Sequence, residues 1–73
     1  MNNTDPAWKA LEKITLHMND YMFMGVTKQG FYSFKHRDTR RYLNLDFDGN
    51  CYYYDGCVYT KISTGQALEW ATS

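Results

Sequence analysis

Seventy-three residues make one domain at most, near the lower end of what folds without disulfides or metals. Eight basic and eight acidic side chains cancel to a formal net charge of zero. That balance speaks against nonspecific nucleic-acid binding, which needs a net positive field or a long basic stripe.

Seven Tyr, four Phe and two Trp offset the small size, because each ring buries a large area per residue ordered. No apolar run approaches the roughly 20 residues that span a bilayer. Met1-Asn2-Asn3-Thr4-Asp5 lacks the basic and apolar regions of a secretory leader, and Asn2 is not the Gly of an acylation signal. The expectation is a single domain, residues 1–73, working in the cytoplasm and away from membranes.

Asp5-Pro6 is a helix start: Asp accepts from orphan N–H groups, and Pro at the first helical position lacks the hydrogen that would go unused there. Apolar residues follow at Ala7, Leu11, Ile14, Met18 and Tyr21, in steps of four and three, with Lys9, Glu12, Lys13 and Asp20 off that stripe. The spacing predicts an amphipathic helix of about four turns. Two endings are open. Asn19-Asp20 closes the helix and leaves residues 21–26 to a strand, or the helix runs on to Gly25 as its C-cap.

Beyond Gly30 the pattern turns to short aromatic, β-rich segments. Strands are predicted at Phe31–His36, Arg41–Phe47, Cys51–Tyr54 and Val58–Ile62. The intervening turns are Arg37-Asp38-Thr39-Arg40, Asp48-Gly49-Asn50 and Asp55-Gly56. Ser63-Thr64-Gly65-Gln66 reads as a capping box opening a short C-terminal helix. The fold class is α+β: an N-terminal amphipathic helix, an antiparallel meander of three to five strands, and a short C-terminal helix.

The turns also predict register. A two-residue turn at Asp38-Thr39 pairs Phe34 with Leu43 and Tyr32 with Leu45. A three-residue loop at Asp48-Gly49-Asn50 pairs Phe47 with Cys51, and a two-residue turn at Asp55-Gly56 pairs Tyr54 with Cys57 and Tyr53 with Val58. Paired residues share a face. One face therefore receives Tyr32, Phe34, Leu43, Leu45, Phe47, Cys51, Tyr53, Val58 and Ile62, an apolar set. The other receives Ser33, Lys35, Tyr42, Asn44, Asp46, Tyr52, Tyr54, Tyr59 and Lys61, a set that is polar except for its tyrosines.

Candidate chemistry is sparse. Cys51 and Cys57 are predicted on opposite faces of one hairpin, which disfavours a disulfide. Their C-x5-C spacing, with His17 and His36 on other elements, is outside the usual zinc patterns. Asp46, Asp48 and Asn50 alternate like the first ligands of a calcium loop. Gly49, however, falls at the fourth position where the sixth is required, and Cys57 stands where a bidentate Glu belongs. No metal or cofactor is expected. His36 beside Arg37 and Arg41 resembles the parts of a ribonuclease, a general base with cationic phosphate stabilisers. The inventory is otherwise too thin for an enzyme.

Two contact features stand out. The basic hairpin Lys35-His36-Arg37-Asp38-Thr39-Arg40-Arg41 holds four of the eight basic residues and can grip phosphates or an acidic protein surface. Tyr42, Tyr52, Tyr54 and Tyr59 are expected as neighbours on the outer face, Tyr42 beside Tyr54 and Tyr52 beside Asn44 and Tyr59. Each offers a large rigid contact with a polar tip. The competing expectation is a helix laid over that face.

The order helix–strands–helix in about seventy residues is similar to double-stranded RNA-binding domains and to the small ribonuclease toxins of that fold. The likeness is topological. Thr64-Gly65-Gln66-Ala67 carries no basic residue where the RNA-binding domains have a Lys/Ala-rich helix start. Gly30-Phe31-Tyr32-Ser33 replaces the toxins' catalytic His after Gly-Ser. In size, neutrality and aromatic content the chain is similar to small phage or mobile-element inhibitors, including anti-CRISPR proteins. The expected function is a non-enzymatic protein-binding module, its partner-binding residues being the four tyrosines with Lys35, Arg37, Arg40 and Arg41. The alternative is a nucleic-acid-binding domain using the basic hairpin.

Overall fold

A computed structural model describes residues 5–73. Met1–Thr4, on which most of the leader and acylation reading rests, lie outside the described residues. The chain forms α1 (Pro6–Glu12), a 3-10 turn (Met18–Asp20), strands β1 (Tyr21–Val26), β2 (Tyr32–His36), β3 (Tyr42–Leu45), β4 (Cys51–Tyr54) and β5 (Tyr59–Ile62), and α2 (Thr64–Thr72). The strands make one five-stranded antiparallel meander in chain order. The α+β arrangement is the one expected, with all five strands present.

The N-terminal helix starts as its sequence dictates: the Asp5 carboxylate accepts from the Ala7 N–H at 2.9 Å, with Pro6 at the first position. It stops after seven residues, not four turns. Ile14 and Thr15 are β-branched and disfavour helix. The Thr15 hydroxyl also accepts from the His17 N–H at 3.0 Å, a local bond that competes with a helical turn. Ile14 and Met18 nevertheless pack against the core, Ile14 from the turn after α1 and Met18 from the 3-10 turn. The stripe reported burial, and burial does not require helix. Residues 21–26 are strand, with Tyr21 opposite His36 and a bulge between Phe23 and Gly25.

The β2–β3 register is as predicted, Phe34 with Leu43 and Tyr32 with Leu45. The next two hairpins are each displaced by two residues. Leu45, not Phe47, faces Cys51, and Tyr54 faces Tyr59 in place of Cys57. One cause accounts for both shifts. Asp46 Oδ1 accepts from the Asp48 and Asn50 N–H groups at 2.9 Å each. Asp55 Oδ1 accepts from Cys57 and Val58 at 2.8 and 2.9 Å. An aspartate that binds the backbone two and more residues ahead lengthens the turn that it opens. A slip of two preserves the side-chain face, so the face assignment survives while the ends of the predicted core do not. Phe47 is 73% exposed and Val58 57%, both now in loops; Tyr53 is exposed as well.

Both helices join one buried cluster, Ala7, Ala10 and Leu11 from α1 and Ala67 and Ala71 from α2, packed with Phe34, Leu43, Leu45 and Cys51 of the sheet. Alanines at the contact let α2 approach closely. Trp8 meets Phe34 edge-on at 5.1 Å. The β3–β4 loop abuts the end of α1 at Gly49, where φ is +88° and a Cβ would lie 3.3 Å from the Lys13 side chain. The predicted capping box is present: Ser63 Oγ accepts from the Gln66 N–H at 3.1 Å and Gln66 Oε1 from the Ser63 N–H at 3.0 Å. No helix among the described residues is long and apolar enough to cross a membrane.

Candidate contact site

With both helices on the Phe34 face, the tyrosine face is closed by no helix among the described residues. Its cover comes from Phe31, just before β2, whose ring lies 4.4 Å from Tyr52 and 4.5 Å from Tyr59 between centroids. These two tyrosines are half-buried. Tyr42 and Tyr54 stay open, 45% and 44% exposed. Tyr52 pairs with Asn44, and Tyr54 stacks on Tyr59 at 4.5 Å. Tyr52 and Tyr59 are joined through Phe31 and not by direct pairing, because the β4–β5 register puts Lys61 opposite Tyr52.

Pairing between β3 and β4 is confined to Asn44 with Tyr52 and Leu45 with Cys51, next to their shared loop. Toward the other end the strands part. A cleft of about 510 Å³ opens there, with Arg41 and Tyr42 on one side, Tyr53 and Tyr54 on the other, and Trp70 of α2 at one end. Ser33 and Asn44, only 8% and 7% exposed, supply polar groups to its floor. The Tyr42–Tyr54 neighbourhood expected from the sequence is therefore a gap between strands and not a ladder pair.

The basic hairpin divides. The Arg37 guanidinium turns to Asp20 at 3.5 Å and to Asp38 at 4.0 Å, away from the tyrosines. The Arg41 guanidinium carbon lies over Trp70, 4.0 Å from the ring centroid, and Tyr53 meets the same indole edge-on at 5.5 Å. Lys35 reaches over Tyr42 at 5.7 Å. Arg40 is exposed and adopts φ +67°, left-handed backbone that suits glycine and costs an L residue about 1–2 kcal/mol. The sequence puts Lys35, Arg37, Arg40 and Arg41 with the four tyrosines in one contact set; the structure brings Arg40 and Arg41 to the lining of the tyrosine cleft, leaves Lys35 beside Tyr42 and not among the lining residues, and turns Arg37 to Asp20. It also adds Trp70 and Tyr53. Trp70 was legible as the large residue flanking the small Ala67 and Ala71 positions of α2.

The other candidate chemistries resolve into structural roles. His36 is buried against Tyr21, and its Nδ1 accepts from the Asp38 and Thr39 N–H groups at 3.2 and 3.4 Å. It caps its own turn, which denies it the place of a solvent-facing base. The Asp46 carboxylate is occupied by Asp48, Asn50 and the Tyr52 hydroxyl, the last at 3.0 Å. Burial pushes that carboxyl up, but these hydrogen bonds outweigh it and hold the group below the usual range. The same bond to Asp46 raises the Tyr52 phenol. Cys51 is buried and Cys57 exposed, both as free thiols, and burial pushes the Cys51 thiol up. No protein-family model, curated protein or solved structure matches the chain.

Proposed function

We propose that the protein is a non-enzymatic protein-binding module that acts by occupying a partner's surface through the β3–β4 cleft. The observation that carries this reading is the convergence of Tyr42, Tyr54, Trp70 and Arg41 on one open, prefolded concavity. Tyr, Trp and Arg are the residues in which binding energy concentrates, and rigid rings held by neighbours lose little entropy on docking. Free thiols on a buried and an exposed cysteine fit a reducing compartment, so the proposed setting is the cytoplasm. Small size and neutrality suit an inhibitor of a host protein or defence complex, as phage and mobile-element proteins of this profile are.

The test is capture from nuclease-treated lysate by wild type, by Tyr42→Ala/Tyr54→Ala and by Arg40→Gln/Arg41→Gln, with parallel titration of labelled duplex RNA and single-stranded DNA at two salt concentrations. A protein retained by wild type in fixed stoichiometry and lost from the folded tyrosine variant supports the reading. Micromolar or tighter nucleic-acid binding that collapses in the arginine variant and tightens at low salt overturns it in favour of the nucleic-acid alternative.

A further inference from the structure

Taking the protein-binding reading of the cleft as its basis, we infer that the segment it accepts is an acidic peptide: a carboxylate held at the Arg40–Arg41 end, with a neighbouring apolar or aromatic side chain against Tyr53, Tyr54 and Trp70.

Charge carries the first part of the argument. The protein is neutral overall, yet no Asp or Glu lines the cleft, while Arg40 and Arg41 both do. Among the described residues, only Arg37 of the hairpin has a carboxylate within ion-pair distance. Arg40 and Arg41 are thus adjacent positive groups lining one concavity, with no carboxylate among the described residues within ion-pair distance of them. An anionic group entering there neutralises them; a cationic one is repelled.

Geometry narrows the anion. The Arg41 guanidinium carbon lies over the Trp70 ring, 4.0 Å from its centroid, a contact that restrains its rotamers, and a guanidinium presents its N–H groups as a rigid planar fork. That fork matches the two oxygens of a carboxylate, and an arginine so restrained has less freedom to lose when it binds. Arg40 holds φ +67°, where glycine is the more stable residue, so its side chain is kept at the cleft against local preference. The remainder of the cleft is aromatic, floored by the polar Ser33 and Asn44. A peptide offers amide groups to such a floor and an apolar side chain to such walls. A phosphodiester chain calls for a longer track of cations than two arginines at one end.

The experiment is a nitrogen-15 NMR titration of the full chain with the pentapeptide acetyl-Glu-Glu-Phe-Glu-Glu-amide, its Lys-for-Glu counterpart, and a thymidine oligonucleotide. The acidic peptide is expected to give saturable shifts at the Trp70 indole N–H and at the amides of residues 41–42 and 53–54. Arg41→Gln should weaken it at least tenfold, and Arg41→Lys, which keeps charge without the fork, should fall between. The Lys peptide should leave those signals in place. Folding of each variant is read from the same spectra. Absence of saturable shifts up to millimolar acidic peptide overturns the inference, as does a response unchanged in Arg41→Gln. If capture of a protein still depends on Tyr42 and Tyr54, that failure leaves the protein-binding reading intact. Tighter binding of the oligonucleotide than of the acidic peptide at the same signals overturns both.

Discussion

The two faces of the sheet come from the same strands but are closed by different means. Phe34, Leu43, Leu45 and Cys51 lie beneath two short helices, each no more than 1% exposed. Ser33, Asn44 and Tyr52 alternate with them along the same strands and face the other way, where Tyr52 and Tyr59 are covered by a single ring, Phe31, and Tyr59 also by Tyr54. A domain this small has apolar surface for one core. Helices placed on one face leave the other to be covered by side chains that tolerate water at one end, which is what tyrosine does. The covered face holds the fold together, and the other leaves Tyr42 and Tyr54 exposed.

The sharpest way to break that comparison is chemical. Cys51 is buried and Cys57 exposed, so Cys51 should be alkylated only through unfolding. For a small domain stable by about 3–5 kcal/mol, that makes it at least about a hundredfold slower than Cys57; comparable rates by intact mass spectrometry contradict the burial of the Phe34 face. Leu45→Ala should lower unfolding free energy by about 2–5 kcal/mol, a large share of what holds so small a domain together, whereas Tyr54→Ala should cost about 1 kcal/mol or less. Equal damage in denaturant melts would mean that the open face is core as well.

Smaller effects come from the turns. Asp55 is held below the usual carboxylate range by hydrogen bonds from the Val58 and Cys57 N–H groups, and Asp46 is lowered also. A carboxyl with a folded value below its unfolded one supports the fold fully above about pH 3.9 and loses that support as pH falls through the folded value. Stability should therefore decline below about pH 4, and Asp55→Asn, which keeps an accepting oxygen, should flatten that decline. Denaturant midpoints from pH 7 to 2.5 measure it, and an identical acid limb in both proteins removes Asp55 from the account. The smallest effect is at Arg40. Replacing it with Gly should stabilise the fold by about 0.5–1 kcal/mol by relieving φ +67°; a loss of stability would show that the arginine is structural.

Most of the face assignment was legible in the sequence because parity is robust. Turn lengths misjudged by two residues at Asp46 and Asp55 moved partners but not faces, so Leu43, Leu45 and Cys51 were placed correctly. What was not legible depended on side-chain-to-backbone bonds. Those bonds decide where a turn begins, and with it whether Phe47 and Val58 are core or loop. The stripe from Ala7 to Tyr21 keeps helical spacing past the end of α1, through Ile14, Met18 and Tyr21, which pack in or against the core outside that helix, and periodicity alone does not distinguish the two. The cleft was hidden for a further reason. It exists because β3 and β4 separate after two pairs and because α2 sets Trp70 against Arg41, a relation between residues 29 positions apart that no local pattern encodes.

The account turns on whether the open face makes contacts without holding the fold, and one measurement reads both. Calorimetric titration of the captured partner into wild type and into Tyr42→Ala/Tyr54→Ala should show affinity weakened at least about thirtyfold, the loss of about 2 kcal/mol typical of a hot spot. The melting temperature of the same double variant, taken before titration, should stay well above that of Leu45→Ala. Unchanged affinity, or a variant that melts with Leu45→Ala, contradicts the assignment of the tyrosine cleft as the contact surface.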